Sequence, residues 1–495
     1  MKHLPDFFVG NTLQSSSFGQ TELEQILDDL QGARVNRIMF ISHDPWGAAF
    51  EQDPSFYAHT FLKPFREPGS LRHGDPLKTL CGAAAKRGMG VYAHLLPYDS
   101  IEAGVWPTHR AEETNDVSSS MQPRLSACAQ IDLFGRKDGR TCWRHPDYRQ
   151  YQLAVAENLL RCYPIEGIKY NVECTGPLSS VLIGRDAAGF RGRRPRLPTC
   201  FCDHCLAEAS RRGIQVDRAR SGWKELLELS ERSWRQARHA GDPFATPGVA
   251  MGDGREVTAP PDGYFIGLWR ILFRYPELLQ WNSMWYDGIK SLYAELHGLV
   301  KNVHPDRKLG LHVWHHRAFS PFDRAVWDYA ELAKISDWLK PKVDHRTAGF
   351  RYHQDVRRWS QALFGGQPIE EAYRAWCTLL GWKDEAPYDE LPTTGMSLNY
   401  VRREVLSAVE AVPEGFPIYP GISVGIPSPT LTSTPESIRD GIRVSCESGA
   451  AGIMLCRGYH EQERDQLLAA GKAIDEVLAQ RKSNFHGSVT SVQGK

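Results

Sequence analysis

Gly167-Ile168-Lys169-Tyr170-Asn171-Val172-Glu173 follows directly on a helical stretch, His145–Cys162. This helix-then-strand step recurs along the chain, and its recurrence decides the fold. Upstream, Phe7–Asn11, Arg37–His43 and Gly90–Leu95 read as strands, with helical spacing at Glu22–Ala33 and Pro76–Arg87. Downstream, strands are expected at Leu309–His315, Trp338–Asp344, Pro417–Ile422 and Ala451–Cys456, although Pro341 weakens the sixth. Helices are expected at Asp323–Ile335, Asn399–Val412, Pro435–Ser448 and Gln462–Leu478. Eight strand–helix units predict an α/β fold, a (β/α)8 TIM barrel. An open doubly wound sheet is the rival, since alternation alone does not establish closure.

The barrel is expected over residues 1–480, with long insertions after strands four and six at about 175–261 and 346–392. The first insertion reads as loop-rich, with a Gly/Pro-rich stretch at 241–263. An aromatic helix from Tyr264 to Val300 follows, broken near Pro276. Residues 481–495 read as a polar, disordered tail.

The chain has 495 residues, with 59 Lys and Arg against 59 Asp and Glu. Zero formal charge argues against nucleic acid or an anionic membrane as partner and fits an uncharged or weakly charged ligand. No apolar run has the length of a membrane span, and the N-terminus lacks a signal-peptide pattern, so a cytoplasmic location is expected. Whether the chain forms a homo-oligomer is left open.

Barrel sites lie at the C-terminal ends of the strands. Those ends carry His43, Asp44 and Trp46 (strand two), His94 (three), Glu173 (four), Trp314 and His316 (five), Asp344 (six) and Arg457 (eight). Period-two alternation sets Lys169, Asn171 and Glu173 on one face of strand four, and His312 projects from strand five. Polar strand-to-helix loops are ordinary, so each rim residue also has a plain solvent-facing reading. For Glu173 that reading is an ion pair with Lys169. Trp314 suits a sugar platform, or ordinary packing.

Cys200, Cys202 and Cys205 form C-x-C-x2-C. Three thiolates need a fourth ligand to complete a tetrahedral zinc site. Cys142 is preferred, with Cys128 and His204 as alternatives, because neighbouring rim loops can meet. Such a site would be structural. Three reduced cysteines without metal are the alternative. No organic cofactor is expected.

A carboxylate ending strand four, followed by Cys200-Phe201-Cys202-Asp203-His204-Cys205, resembles glycoside hydrolases. Family 42 β-galactosidases carry a similar zinc-binding cluster. A group of hypothetical glycoside hydrolases has a Cys-Phe-Cys-x-His-Cys run and looks closest overall. The resemblance implies glycosidic cleavage of a carbohydrate by two carboxylates. It is not carried over intact: family 42 ends strand four in Asn-Glu, where this chain has Asn171-Val172-Glu173. Its strand-seven nucleophile has no counterpart in Tyr419-Pro420-Gly421-Ile422-Ser423. Lys169-Tyr170-Asn171 is similar to the Lys-Tyr-Asp of clan D α-galactosidases, but with Asn at the nucleophile position. Glu173 and Asp344 are therefore the expected catalytic pair. His43, Asp44, Trp46, His94, Lys169, Asn171, His312, Trp314, His316 and Arg457 are the expected substrate contacts. Two rivals remain. One is a metal-dependent sugar isomerase, epimerase or lyase using His43, His94, His312, Glu173 and Asp344. The other is a carbohydrate-binding barrel without catalysis.

Overall fold

The structure is a computed structural model, which describes residues 7–14, 20–44, 47–64, 69, 71, 74–97, 124–183, 197–239, 259–365, 368–425 and 431–492. Eight parallel strands form its centre: β1 (Phe8–Leu13), β2 (Arg37–Asp44), β3 (Gly90–Leu95), β4 (Gly167–Asn171), β5 (Lys308–Val313), β6 (Trp338–Pro341), β7 (Gly421–Ser423) and β8 (Gly452–Gly458). Their hydrogen-bonded order is β7-β8-β1-β2-β3-β4-β5-β6. Two parallel bridges, Leu339 to Ile418 and Lys342 to Gly421, join β6 to β7 and leave a nearly closed barrel. Closure rules out the open sheet. The sixth and seventh strands are shorter than their apolar runs, because prolines 341, 417 and 420 cannot donate to the ladder.

Alternation sorts the strand side chains. Ile38, Phe40, Val91, Ala93, Ile168, Tyr170, Leu309 and Leu311 face the helix layer and join its apolar core. Phe8, Met39, Tyr92, Trp338 and Met454 point inward and plug the barrel floor. The plug needs Gly310: a Cβ there would overlap the Trp338 indole.

The segments after β4 and β6 contain helices rather than loops. Pro177–Ile183, Asp203–Arg211 and Val216–His239 occupy the stretch expected to be loop-rich. The physical reason is amphipathic spacing: Ala219, Trp223, Leu226, Leu227 and Trp234 lie on one helical face and are buried. They pack with Tyr352, Val356 and Trp359 of helix His345–Leu363 in a second apolar core. Ser233 Oγ donates to Gln361 O (2.7 Å), tying the two segments together. The aromatic helix is broken at Pro276, as Gly263–Arg274 and Glu277–Val303. The stretch Asp323–Ile335 forms two short helices, Pro321–Val326 and Tyr329–Ala333. The last helix, Arg464–Val492, runs through the segment expected to be a disordered tail. No helix among the described residues is long and apolar enough to cross a membrane.

Replacing Gly310 with Ala should cost ~1–3 kcal/mol through overpacking of the plug. Urea unfolding would measure it, and an unchanged midpoint would show that Trp338 can move aside freely.

Candidate active site

Above the apolar plug the barrel interior turns polar. His94, Lys169 and Lys340 form the next level, all buried. Lys169 Nζ lies 3.1 Å from His94 Nε2. Burial, then the neighbouring Lys340, pushes the Lys169 ammonium well below its ordinary value. Burial and Lys169 do the same to His94. Both shifts act against two positive charges side by side. Lys169 does not pair with Glu173; its hydrogen bond goes to His94 instead.

Glu173 sits one level higher. Asn171 Nδ2 donates to its Oε1 (3.2 Å), and His312 Nε2 lies 3.4 Å from the same oxygen. Burial alone would raise this carboxyl, but Lys342, then His312 and Asn171, hold it well below the usual carboxylate range. His312 is pushed down to about 3 by burial and by Lys340, so it is a neutral ring beside an anion.

Asp344 faces the same cation. Its Oδ2 is 3.9 Å from Lys342 Nζ, and neither oxygen has a hydrogen-bond partner. Burial would raise it, yet Lys342, Lys340 and Arg351 lower it. Its backbone is unusual. Asp344 caps the helix His345–Leu363 with φ 38° and ψ 48°, in the left-handed region. A non-glycine residue pays ~1 kcal/mol or more there. An aspartate at this position ordinarily accepts from the helix's free N–H groups, but Asp344 makes no such bond. Strain and a forgone cap both leave its carboxylate in the barrel mouth, a combination typical of functional positions.

Lys342 is the shared partner. It is buried, and burial and Arg351 push its ammonium down to about 8. Arg351, from the first turns of helix His345–Leu363, approaches His315 Nδ1 at 3.3 Å. Arg457, at the end of β8, pairs with Glu461 at 2.8 Å. Cys456 lies beside Lys340 and Asp344, and burial raises its thiol.

Other expected contacts lie elsewhere. His43 hydrogen-bonds the hydroxyl of Tyr151 (3.0 Å), on the helix outside the barrel. A register shift between Ile41 and His43 breaks the alternation that would have turned it inward. His316 Nδ1 faces Asp355 at 3.2 Å, behind the rim, where the chain has already entered the short helix His316–Phe319. Trp314 packs edge-on against His316, with ring centroids 4.0 Å apart. Asp44 ends β2 by pairing with Gly47; Trp46 lies outside the described residues. Sequence reading missed Lys340, Lys342 and Arg351. The first two share the period-two face of Trp338 and Asp344, so the signal was present. Arg351 carries none.

The cysteines meet. A hairpin, Ala129–Ile131 with Lys137–Thr141, brings Cys142 to the chain after β4. Phe201 N donates to Ile131 O (2.8 Å) and Leu133 N to Pro198 O (3.0 Å), extending the hairpin. The sulfurs of Cys142, Cys200, Cys202 and Cys205 all lie within 4.8 Å of one another. Cys142 is 3.6 Å from Cys205 and 3.5 Å from Cys202. Tetrahedral thiolates at 2.3 Å from zinc would be about 3.8 Å apart, so the group can hold a metal ion. Cys128 is not in the group, and His204 stacks on His145 instead. Among the described residues no other set of His, Cys, Asp and Glu converges in this way. His43, His94, His312, Glu173 and Asp344 are not among the residues that converge in this way.

No protein-family model and no curated protein matches the chain. Solved structures do. A β-galactosidase from Marinomonas ef1 aligns at TM-score 0.51 and 11% identity, over 96% of this chain and 60% of its own. A β-galactosidase from the haloarchaeon Halorubrum lacusprofundi aligns at 0.50 and 14%, over 95% and 58%. An α-L-fucosidase from Paenibacillus thiaminolyticus aligns at 0.46 and 12%, over 96% and 50%. The chain thus spans half to three-fifths of the length of these proteins. The two β-galactosidases share its barrel fold.

Both carboxyls are depressed in the folded state. Each contributes stability above its unfolded value of about 4, and that contribution is lost as pH falls through the folded value. The urea midpoint of the wild type should therefore fall more steeply below pH ~4 than that of Asp344→Asn. Parallel profiles would show Asp344 to be unperturbed.

Proposed function

We propose that the chain is a glycoside hydrolase acting on a carbohydrate substrate, with Glu173 and Asp344 as its two carboxylates. The observation that carries this reading is the pair itself. The partly buried Glu173 and the buried Asp344 follow the ends of β4 and β6, both are influenced by Lys342, and Asp344 is held there in a strained conformation without capping its helix. The fold shared with the two β-galactosidases is consistent with it.

The surroundings of the two acids favour different roles. Glu173 is fixed by Asn171 and His312 as a lasting anion. It is suited to attack the anomeric carbon or to take a proton from water. Asp344 is ionised in the free protein, but no hydrogen bond fixes either of its oxygens, so it is the acid left to take up a proton when substrate changes the charges around it. Protonated in the substrate complex, it gives that proton to the glycosidic oxygen, and the leaving alcohol departs. If Glu173 has formed an ester, water then cleaves it, with Asp344 taking the water's proton. If Glu173 has instead deprotonated a water, the hydroxide adds directly. Either route consumes one water per bond. His94, Lys169, Asn171, His312 and Arg457 would hold the sugar. The cysteine group would hold a structural zinc ion, fastening the segments after β3 and β4 to each other.

Glu173→Gln should lower turnover of nitrophenyl glycosides ~10²–10⁴-fold, with the circular dichroism spectrum retained. Wild-type rates in that variant would remove Glu173 from the mechanism. Metal analysis should find about one zinc ion per chain. Its removal by a chelator should lower the thermal midpoint. Four freely titratable thiols in metal-free protein of unchanged midpoint would exclude the structural site.

A further inference from the structure

The mouth of the barrel holds more positive charge than its carboxylates balance. Lys340, Lys342 and Arg351 are largely buried there, opposite Glu173 and Asp344. Arg457 adds a fourth cation and Glu461, its partner, a third anion. Arg351 has no carboxylate partner: its hydrogen bond goes to a neutral histidine, and no carboxylate among the described residues lies within ion-pair distance of it. The charge that perturbs it most is that of Arg457, another guanidinium. Like charges drawn together in a partly dehydrated mouth repel unless an anion lies between them.

The place for that anion is given by the strand order. Arg351 follows β6 and Arg457 ends β8, so the two flank β7. Among its described residues β7 offers no charged side chain. Gly421 has none at all, and a Cβ there would crowd Cys456, Lys340 and Asp344. Ser423, two residues on and fully buried, has a hydroxyl without a partner. Two guanidinium forks, an ammonium and a free hydroxyl around an uncharged strand end make a receptor for a planar carboxylate.

We propose that the sugar bound in the barrel mouth is an acidic one, its carboxylate held by Arg351 and Arg457 over β7 with Lys342 close by. The proposal rests on the reading of the mouth as a sugar site and adds the class of sugar. It also bears on the chemistry. The cations that hold Asp344 ionised in the free protein would be partly neutralised by the substrate's own anion. Asp344 could then take up the proton it must donate.

The test is calorimetric titration of the full chain with pairs of sugars differing only at the acid group. Glucuronate is compared with glucose, galacturonate with galactose, and mannuronate with mannose. At least one acid should bind about tenfold or more tightly than its neutral counterpart, and the preference should shrink with added salt. Arg351→Met should abolish the preference. Arg457→Met, at a more exposed position, should reduce it and guards against a folding defect in the first variant. No acid binding more tightly than its partner, or a preference insensitive to both variants, overturns the proposal. Turnover of nitrophenyl uronides is read separately. Acid binding without turnover would sustain the acidic-sugar site while removing the hydrolase reading. Turnover of neutral glycosides without any acid preference would do the reverse.

Discussion

The structure depends on charges held out of water at the top of the barrel. Asp344 and Lys340 are buried, and Glu173 and Lys342 largely so, above a floor of Phe8, Met39, Tyr92, Trp338 and Met454. Removing such groups from water costs several kcal/mol each, and mutual attraction offsets that only when the geometry is maintained. Lys342 is the common term, since both carboxylates lean on it. The fold keeps the geometry by strand register. Lys169 and Asn171 stay on the inner face because β4 pairs without a slip with β3 and β5. A one-residue shift would turn the inner row outward into the apolar helix layer.

The same rule explains what could be read from the sequence. Eight strands were legible from apolar runs between amphipathic stretches, and the inner face of β4 followed from period two. Period two also holds Trp338, Lys340, Lys342 and Asp344, but Pro341 drew attention to the weakness of that strand instead of to its polar row. His43 was misplaced because a register slip cannot be seen in a single strand's composition. His316 was misplaced because the chain turns helical directly after β5. Arg351 enters the mouth from a helix, seven residues past Asp344, where no strand pattern applies. The helical nature of 203–239 was legible in its spacing, but the Gly- and Pro-rich run beyond it gave the segment a loop-like composition.

The cysteine group belongs to the same economy of position. Cys142 comes from the segment between β3 and β4, whereas Cys200, Cys202 and Cys205 follow β4. Thr199 accepts from Trp281 Nε1 (3.2 Å) through its carbonyl, and its hydroxyl meets Gln130 Oε1 at 2.5 Å. Helix Glu277–Val303, which carries Trp281, leads directly to β5 and His312. The wall behind Glu173 is therefore tied from two directions, one by side-chain hydrogen bonds and one by the sulfur group. A metal there would act on the site only by limiting how far that wall can move, which separates its role from the chemistry in the mouth.

Whole-chain neutrality says nothing about the charge within one site. Fifty-nine basic and fifty-nine acidic side chains cancel on paper, but exposed charges are screened and leave little field. The few that are buried do not cancel locally, and burial is where charge retains its reach. A binding site samples that local sum. Arg351 and Arg457 come from the segments on either side of a strand that contributes a glycine, an isoleucine and a serine. Glu461 engages Arg457 directly, whereas Arg351 has only the more distant Asp344 and Glu173 to offset it, and an anion bound in the mouth would relieve what remains of that repulsion.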